Sequence, residues 1–160
     1  MSTIVIERIR RMMEDPPVKW LKNAGQYFDI LEEGHVKVIV ANELHLNHVN
    51  IIYAGSIFTF AEMSGGALFL STYGFDQWLP ILKKAEIRYM KPITGDFIID
   101  IKLTEEEKKS KIQPIADRGR GEFLLSIPVI DTEGNIAAEC EFTYYILPAN
   151  KTEIAANTRE

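Results

Sequence analysis

From Thr3 to Glu14, apolar residues recur at Ile4, Ile6, Ile9 and Met12–Met13 with arginines between them, the spacing of a short amphipathic helix. Asp15-Pro16-Pro17 ends it, and Pro17 can open a second short helix through Lys22, stopped at Asn23-Ala24-Gly25. Tyr27–Leu31 and Val36–Ala41 read as two strands joined by the turn Glu32-Glu33-Gly34-His35. The period then changes. A polar, turn-prone head, Asn47-His48-Val49-Asn50, leads through Tyr53-Ala54-Gly55-Ser56 into an almost wholly apolar run to Leu70. This run predicts one long helix from about Ala54, stopped by Thr72-Tyr73-Gly74. Lys84–Tyr89 and Asp96–Leu103 are extended runs, and Glu122–Ile130 joins Ile136–Leu147 across Asp131-Thr132-Glu133-Gly134-Asn135, a hairpin turn signal. Glu105–Arg120 is highly charged and compatible with either a short helix or a bulged strand extension. Lys151–Glu160 reads as a frayed tail.

One long buried helix among about six antiparallel strands predicts an α+β fold with the sheet curled around that helix. The chain divides into an N-terminal helical segment (1–25), the main domain (26–148) and a tail (149–160). A sheet wrapped on one helix leaves an open face and free edges, which a second protomer usually covers.

Glu62 is the one carboxylate inside the apolar run. A helix apolar on all sides is normally buried. A lone acid on it costs several kcal/mol unless it is paired, hydrogen-bonded, protonated or wet. It therefore has a structural partner, such as a backbone amide, or it faces a cavity. Thr59, Gly65 and Gly66 lie three or four residues from Glu62 and share its side. Small residues there leave room for a ligand or for a closely packed helix. The helix start carries unsatisfied N–H groups and a partial positive charge, and Gly55 admits close approach of a ligand to the backbone. Asn47 is either an orienting amide for Glu62 or a simple turn residue.

Composition narrows the classes. The 160 residues suffice for one ordinary domain, with 46% hydrophobic and 26% charged residues in the globular range. A net charge of −5 argues against nonspecific nucleic-acid binding. Cys140 is the only cysteine, so neither an intrachain disulfide nor a thiolate metal cluster can form, which suits a cytoplasmic setting. The N-terminus does not read as a secretory signal, and no uncharged stretch reaches membrane-spanning length. His45 and His48 are three apart with no further ligand nearby and read as free loop histidines; no metal or cofactor is expected. No Gly-x-Ser-x-Gly elbow is present, which disfavours a serine hydrolase.

The Asn-x-x-(Gly) head, the three-residue turn at Tyr53-Ala54-Gly55 and an acid seven residues beyond Gly55 resemble the hotdog-fold thioesterases, especially the phenylacetate-pathway type. Arg88-Tyr89-Met90-Lys91-Pro92 with Gly95-Asp96, and Gly134 with Phe142-Thr143-Tyr144-Tyr145, resemble the family's later strands. The likeness runs from about Tyr27 to Leu147. Asn50 stands where the family has Gly, Tyr53 where it has His, and Ala54 where it has the first of two glycines. No hydroxyl occurs in Ile81-Leu82-Lys83-Lys84, where the family often has one.

The resemblance implies a hotdog acyl-CoA thioesterase, a dimer or dimer of dimers, with Glu62 as base or nucleophile, Gly55 as oxyanion donor and Asn47 orienting them. Tyr53, Ser56, Thr59 and Gly66 would meet the substrate, whose coenzyme A moiety is its only nucleotide. Arg88 or Lys91 would meet its phosphates, as could Arg118-Gly119-Arg120-Gly121, a sequence otherwise read as a solvated turn. Gly55 and Glu62 are seven residues apart, about 10 Å along a helix at 1.5 Å per residue, too far to serve one thioester from one chain. The site is thus expected to be shared between protomers. Tyr53 and the missing hydroxyl keep a non-catalytic acyl-ligand-binding protein as the alternative. A hydroxyacyl dehydratase would want a His at the Tyr53 position, and a structural dimer with a satisfied core acid would need no site at all.

Overall fold

The computed structural model describes residues 3–149. Helix α1 (Thr3–Glu14) turns Ile9 and Met13 inward, and Arg10 Nη1 donates to the Phe28 carbonyl at 2.9 Å. Where a second helix is expected from Pro17 through Lys22, there is only a 3-10 turn, Lys19–Leu21, because Val18 and Lys22 on either side are extended. Strands β1 (Gln26–Glu32) and β2 (His35–Val40) form a hairpin about Gly34, at φ +77°. Helix α2 (Ala54–Tyr73) follows, then β3 (Trp78–Tyr89), β4 (Phe97–Lys102), α3 (Glu105–Arg118), β5 (Gly121–Asp131) and β6 (Ile136–Pro148).

Among the described residues, six strands join in one antiparallel sheet of order β1-β2-β4-β5-β6-β3 and three α-helices accompany it, an α+β architecture. The strand expected at Lys84–Tyr89 is twice as long, starting at Trp78. It runs along β6 from Trp78 opposite Pro148 to Tyr89 opposite Ala138. Pro80 obscures this in sequence but is tolerated because β3 is an edge strand. The ambiguous charged segment is helix α3: Thr104 and Glu107 form a reciprocal capping box at its start and Gly119, at φ +70°, closes it. The tail from Lys151 lies outside the described residues.

Helix α2 contacts every strand of the sheet and α1. Ile57, Phe60, Ala61, Met63, Ala67, Leu68 and Phe69 are buried on it, together with Ser64, Ser71 and Thr72, whose hydroxyls return to helix carbonyls. The sheet supplies Phe28, Phe97, Phe123, Phe142 and Tyr144 to the same core. Each such side chain contributes roughly 1.5–3 kcal/mol by burial. Among the described residues no helix is long and apolar enough to cross a membrane.

Candidate active site along the long helix

Helix α2 begins where Tyr53, in extended conformation, accepts the amides of Ser56 and Ile57 at 2.9 and 3.3 Å. No side chain caps it. The Ala54 and Gly55 amides have no acceptor among the described residues, and the helix dipole adds partial positive charge there. A Cβ at Gly55 would lie 2.4 Å from Tyr53 Cε1, so a side chain there would displace the Tyr53 ring. The Tyr53 ring, 59% exposed, therefore lies against the proposed oxyanion donor. Thr59 Oγ1 donates to the Gly55 carbonyl at 2.8 Å, and the Tyr89 hydroxyl donates to the Ala54 carbonyl at 3.0 Å.

The chain leaves one stripe of α2 half-covered: Gly55, Thr59, Glu62, Gly66, Leu70 and Tyr73, spaced by three and four residues. Gly55, Thr59, Glu62 and Gly66, all singled out by sequence, share this face. The Glu62 carboxylate has no hydrogen bond or ion pair with any described residue. Burial alone pushes its pKa above the ordinary glutamate value. Its backbone is held instead: Tyr144 Oη donates to the Glu62 carbonyl at 2.9 Å. The two glycines beside it differ. A Cβ on Gly65 would lie 2.3 Å from Tyr144 Oη, so this glycine serves close packing, whereas a Cβ on Gly66 would meet nothing within 4 Å.

The other expected residues scatter. Asn47 Oδ1 accepts the Val49 and Ile51 amides at 3.0 and 3.4 Å, an Asx-type turn; within one chain nothing joins it to Glu62. Asn47 and Lys91 do share a hollow of about 480 Å³ at the start of α2, lined also by Ala54, Ile57, Tyr89 and Pro92. Gly55 and Glu62 are absent from its lining. Lys91 Nζ lies 3.5 Å from Asp131 Oδ2, and Arg88 pairs with Glu139 across β3 and β6. Among the described residues no three His, Cys, Asp or Glu side chains gather as metal ligands.

One sequence reading is corrected. His45 is not a free loop residue: it is 8% exposed, its Nε2 lies 2.6 Å from the Ala24 carbonyl and must donate to it, and Nδ1 lies 3.1 Å from Ser56 Oγ. In the neutral imidazole, Ser56 donates to Nδ1. The Ser56 hydroxyl, expected at the substrate, is thus turned toward His45. Edge-on packing against Phe60, with centroids 5.0 Å apart, completes the setting. Nothing local marks this histidine, because its apolar neighbours Leu44 and Leu46 are the exposed residues. His48 remains exposed.

Residues 12–146 match the family described as a domain of unknown function, DUF4442. The chain belongs to the DUF4442 family. No curated protein matches it by sequence. Among solved structures, this DUF4442 chain is similar to PA5026 of Pseudomonas aeruginosa, a protein of unknown function described as a probable thioesterase, with TM-score 0.80, 27% identity, and 89% and 95% of the two chains covered. Thioesterase PA1618 of the same organism shares the fold at TM-score 0.69 and 10% identity, over 92% and 96% of the chains. So does smu.793 of Streptococcus mutans, bound to acetyl CoA, at TM-score 0.59 and 21% identity, over 79% and 91%. Together these put the DUF4442 chain in the hotdog-fold thioesterase-like superfamily.

The departures from the hotdog thioesterase pattern have local reasons in this DUF4442 chain. Asn50 adopts φ +58°, a left-handed conformation that Gly or Asn fills most readily. Ala54 sits at the first helical position with its Cβ exposed, where a second glycine is not sterically required.

Proposed function

We propose that this protein is a hotdog-fold acyl-CoA thioesterase with α2 as its central helix, acting in the cytoplasm as a dimer or dimer of dimers. The observation that carries this reading is the unpaired, half-buried Glu62 carboxylate on the same uncovered stripe as Gly55. In the proposed reaction Glu62 removes a proton from water, and the hydroxide adds to the thioester carbonyl. The resulting oxyanion accepts the Gly55 N–H, and collapse breaks the C–S bond; the proton on Glu62 then passes to the departing thiolate. Attack by Glu62 itself, through an anhydride, needs the same groups. A raised carboxyl pKa suits a group that must both accept and return a proton near neutral pH. The likeness to smu.793, which is bound to acetyl CoA, supports the substrate class.

Continuous helix between Gly55 and Glu62 supports a shared site, with Gly55 from one protomer and Glu62 from its partner. Asn47 of the oxyanion-donating chain would orient the attacking water through its free amide group. Tyr53, Thr59 and Gly66 would line the acyl group, and Arg88 and Lys91 would meet phosphate. The test is thiol release from short, long and aromatic acyl-CoAs, with Glu62→Gln losing at least about tenfold. A mixture of Glu62→Gln and Gly55→Pro chains should regain part of the activity. No thiol above background from any substrate would remove the catalytic reading; no regain in mixed dimers would remove the shared site.

The Tyr53 ring against Gly55 favours a second reading, a protein that holds an acyl-CoA without cleaving it. Recovery of intact acyl-CoA after prolonged incubation would select it.

A further inference from the structure

Arg118 and Arg120 flank Gly119 where α3 ends and β5 begins. Both arginines line one hollow of about 600 Å³, together with Ile115, Gly121 and Tyr145. Neither makes an ion pair or hydrogen bond with a described residue. Several other cations among the described residues are engaged: Lys22, Lys37, Lys84, Lys91 and Lys108 all have carboxylate partners. Glu122 also borders the hollow, but Lys83 Nζ holds its carboxylate at 2.5 Å. The same ammonium stands 5.7 Å from the centre of the Tyr145 ring. Tyr145 in turn lines a second hollow of about 460 Å³ with Ile81, Leu82 and Lys83. The two hollows meet at this half-buried ring, which sits between Glu122 and Ile81 in one cross-strand row. Three cationic residues and one ion-paired carboxylate thus line the two hollows that share Tyr145.

Residue alternation along β6 fixes the side on which this groove lies. Tyr144 points to α2, where its hydroxyl reaches the Glu62 carbonyl, so Tyr145 points to the opposite face of the sheet. The groove is therefore separate from the Glu62 stripe. Paired guanidiniums match phosphate oxygens by bidentate hydrogen bonding. An aromatic face flanked by cations accepts a flat heterocycle by stacking. A volume of this size is in the range of small-ligand sites. We infer that this groove binds a phosphorylated nucleoside, with Arg118 and Arg120 on the phosphate and Tyr145 beneath the base.

The ligand chemistry has two sources, a free nucleotide or the nucleotide end of a coenzyme A reaching across from a neighbouring protomer. Calorimetric titration of the full chain with AMP, ATP, adenosine 3′,5′-bisphosphate and coenzyme A tests both, without requiring hydrolysis. At least one should bind with Kd below about 1 mM. Tighter binding of the bisphosphate and coenzyme A assigns the site to the coenzyme; tighter binding of AMP or ATP assigns it to free nucleotide. The double variant Arg118→Gln/Arg120→Gln should weaken binding at least about tenfold, and Tyr145→Leu by roughly fivefold or more. The titration reads binding and needs no turnover, so failure of the thioesterase reading leaves this result intact. Circular dichroism should show every variant folded. No saturable binding of any of the four, adenosine binding as tightly as its phosphates, or unchanged affinity in the folded arginine variant would each overturn the proposal.

Discussion

The adjacent glycines of α2 should respond to the same substitution with opposite signs. Alanine gains about 1 kcal/mol over glycine inside a helix, through backbone entropy. At Gly66 nothing lies within 4 Å of the added methyl, so Gly66→Ala should stabilise by most of that amount. At Gly65 the methyl would lie 2.3 Å from Tyr144 Oη and 3.1 Å from Ile127 Cδ1. Tyr144 is only 1% exposed and cannot swing into solvent. Displacing it costs about 1–3 kcal/mol in overpacking and about 1 kcal/mol for the hydrogen bond to the Glu62 carbonyl. After the helix-propensity gain, Gly65→Ala should be destabilised by about 1–3 kcal/mol. Urea unfolding followed by tryptophan fluorescence should separate the two midpoints by roughly 1–2 M. Thiol release gives an independent axis: on the thioesterase reading, the stabilised Gly66→Ala narrows the space beside Glu62 and should lose activity on bulky acyl groups first. Equal destabilisation by both substitutions would refute the claim that one glycine packs and the other opens the stripe.

Three further outcomes follow from the geometry. Burial holds the Glu62 pKa in the folded chain above the ordinary 4.5, so the acid favours folding in its neutral form and that contribution is lost as pH rises through the folded-state value. Glu62→Gln should therefore gain stability over the parent at pH 8 more than at pH 4.5; an equal difference at both pH values in urea titrations would contradict this. The Cys140 thiol is pushed up to about 12, chiefly by burial, so Ellman's reagent at pH 8 should find no reactive thiol in the folded protein and one after unfolding. At Asn50, φ +58° predicts that Asn50→Gly is nearly neutral and Asn50→Ala costs about 1 kcal/mol by thermal denaturation.

Much of this molecule is legible where one physical rule dominates. The long apolar run could only be a buried helix, and Gly74, at φ +81°, ends it where the sequence says. The hairpin at Asp131–Asn135 is equally plain: Asp131 Oδ1 collects the Glu133 and Asn135 amides, and Gly134 takes φ +85°. Legibility fails where a tertiary partner decides. The first half of β3 is strand because β6 lies beside it, and Pro80 hides this from local reading. Gly65 and Gly66 are identical letters with opposite surroundings. His45 is buried by contacts 11 and 21 residues away, to Ser56 and Ala24. Glu62 was identifiable as costly from the sequence, but the lack of a partner for it required the three-dimensional arrangement.

The hydrogen bond from Tyr144 to the Glu62 carbonyl separates two things that sequence change would otherwise alter together. It ties the acid's backbone to β6, while the neighbouring positions on the open stripe, Thr59, Gly66 and Leu70, make no such link to the sheet. Substitution at those positions can reshape the surroundings of the carboxylate while its point of attachment stays fixed. Variants of this chain can therefore change the space beside the acid through two or three side chains, with the register of helix and sheet at Glu62 kept.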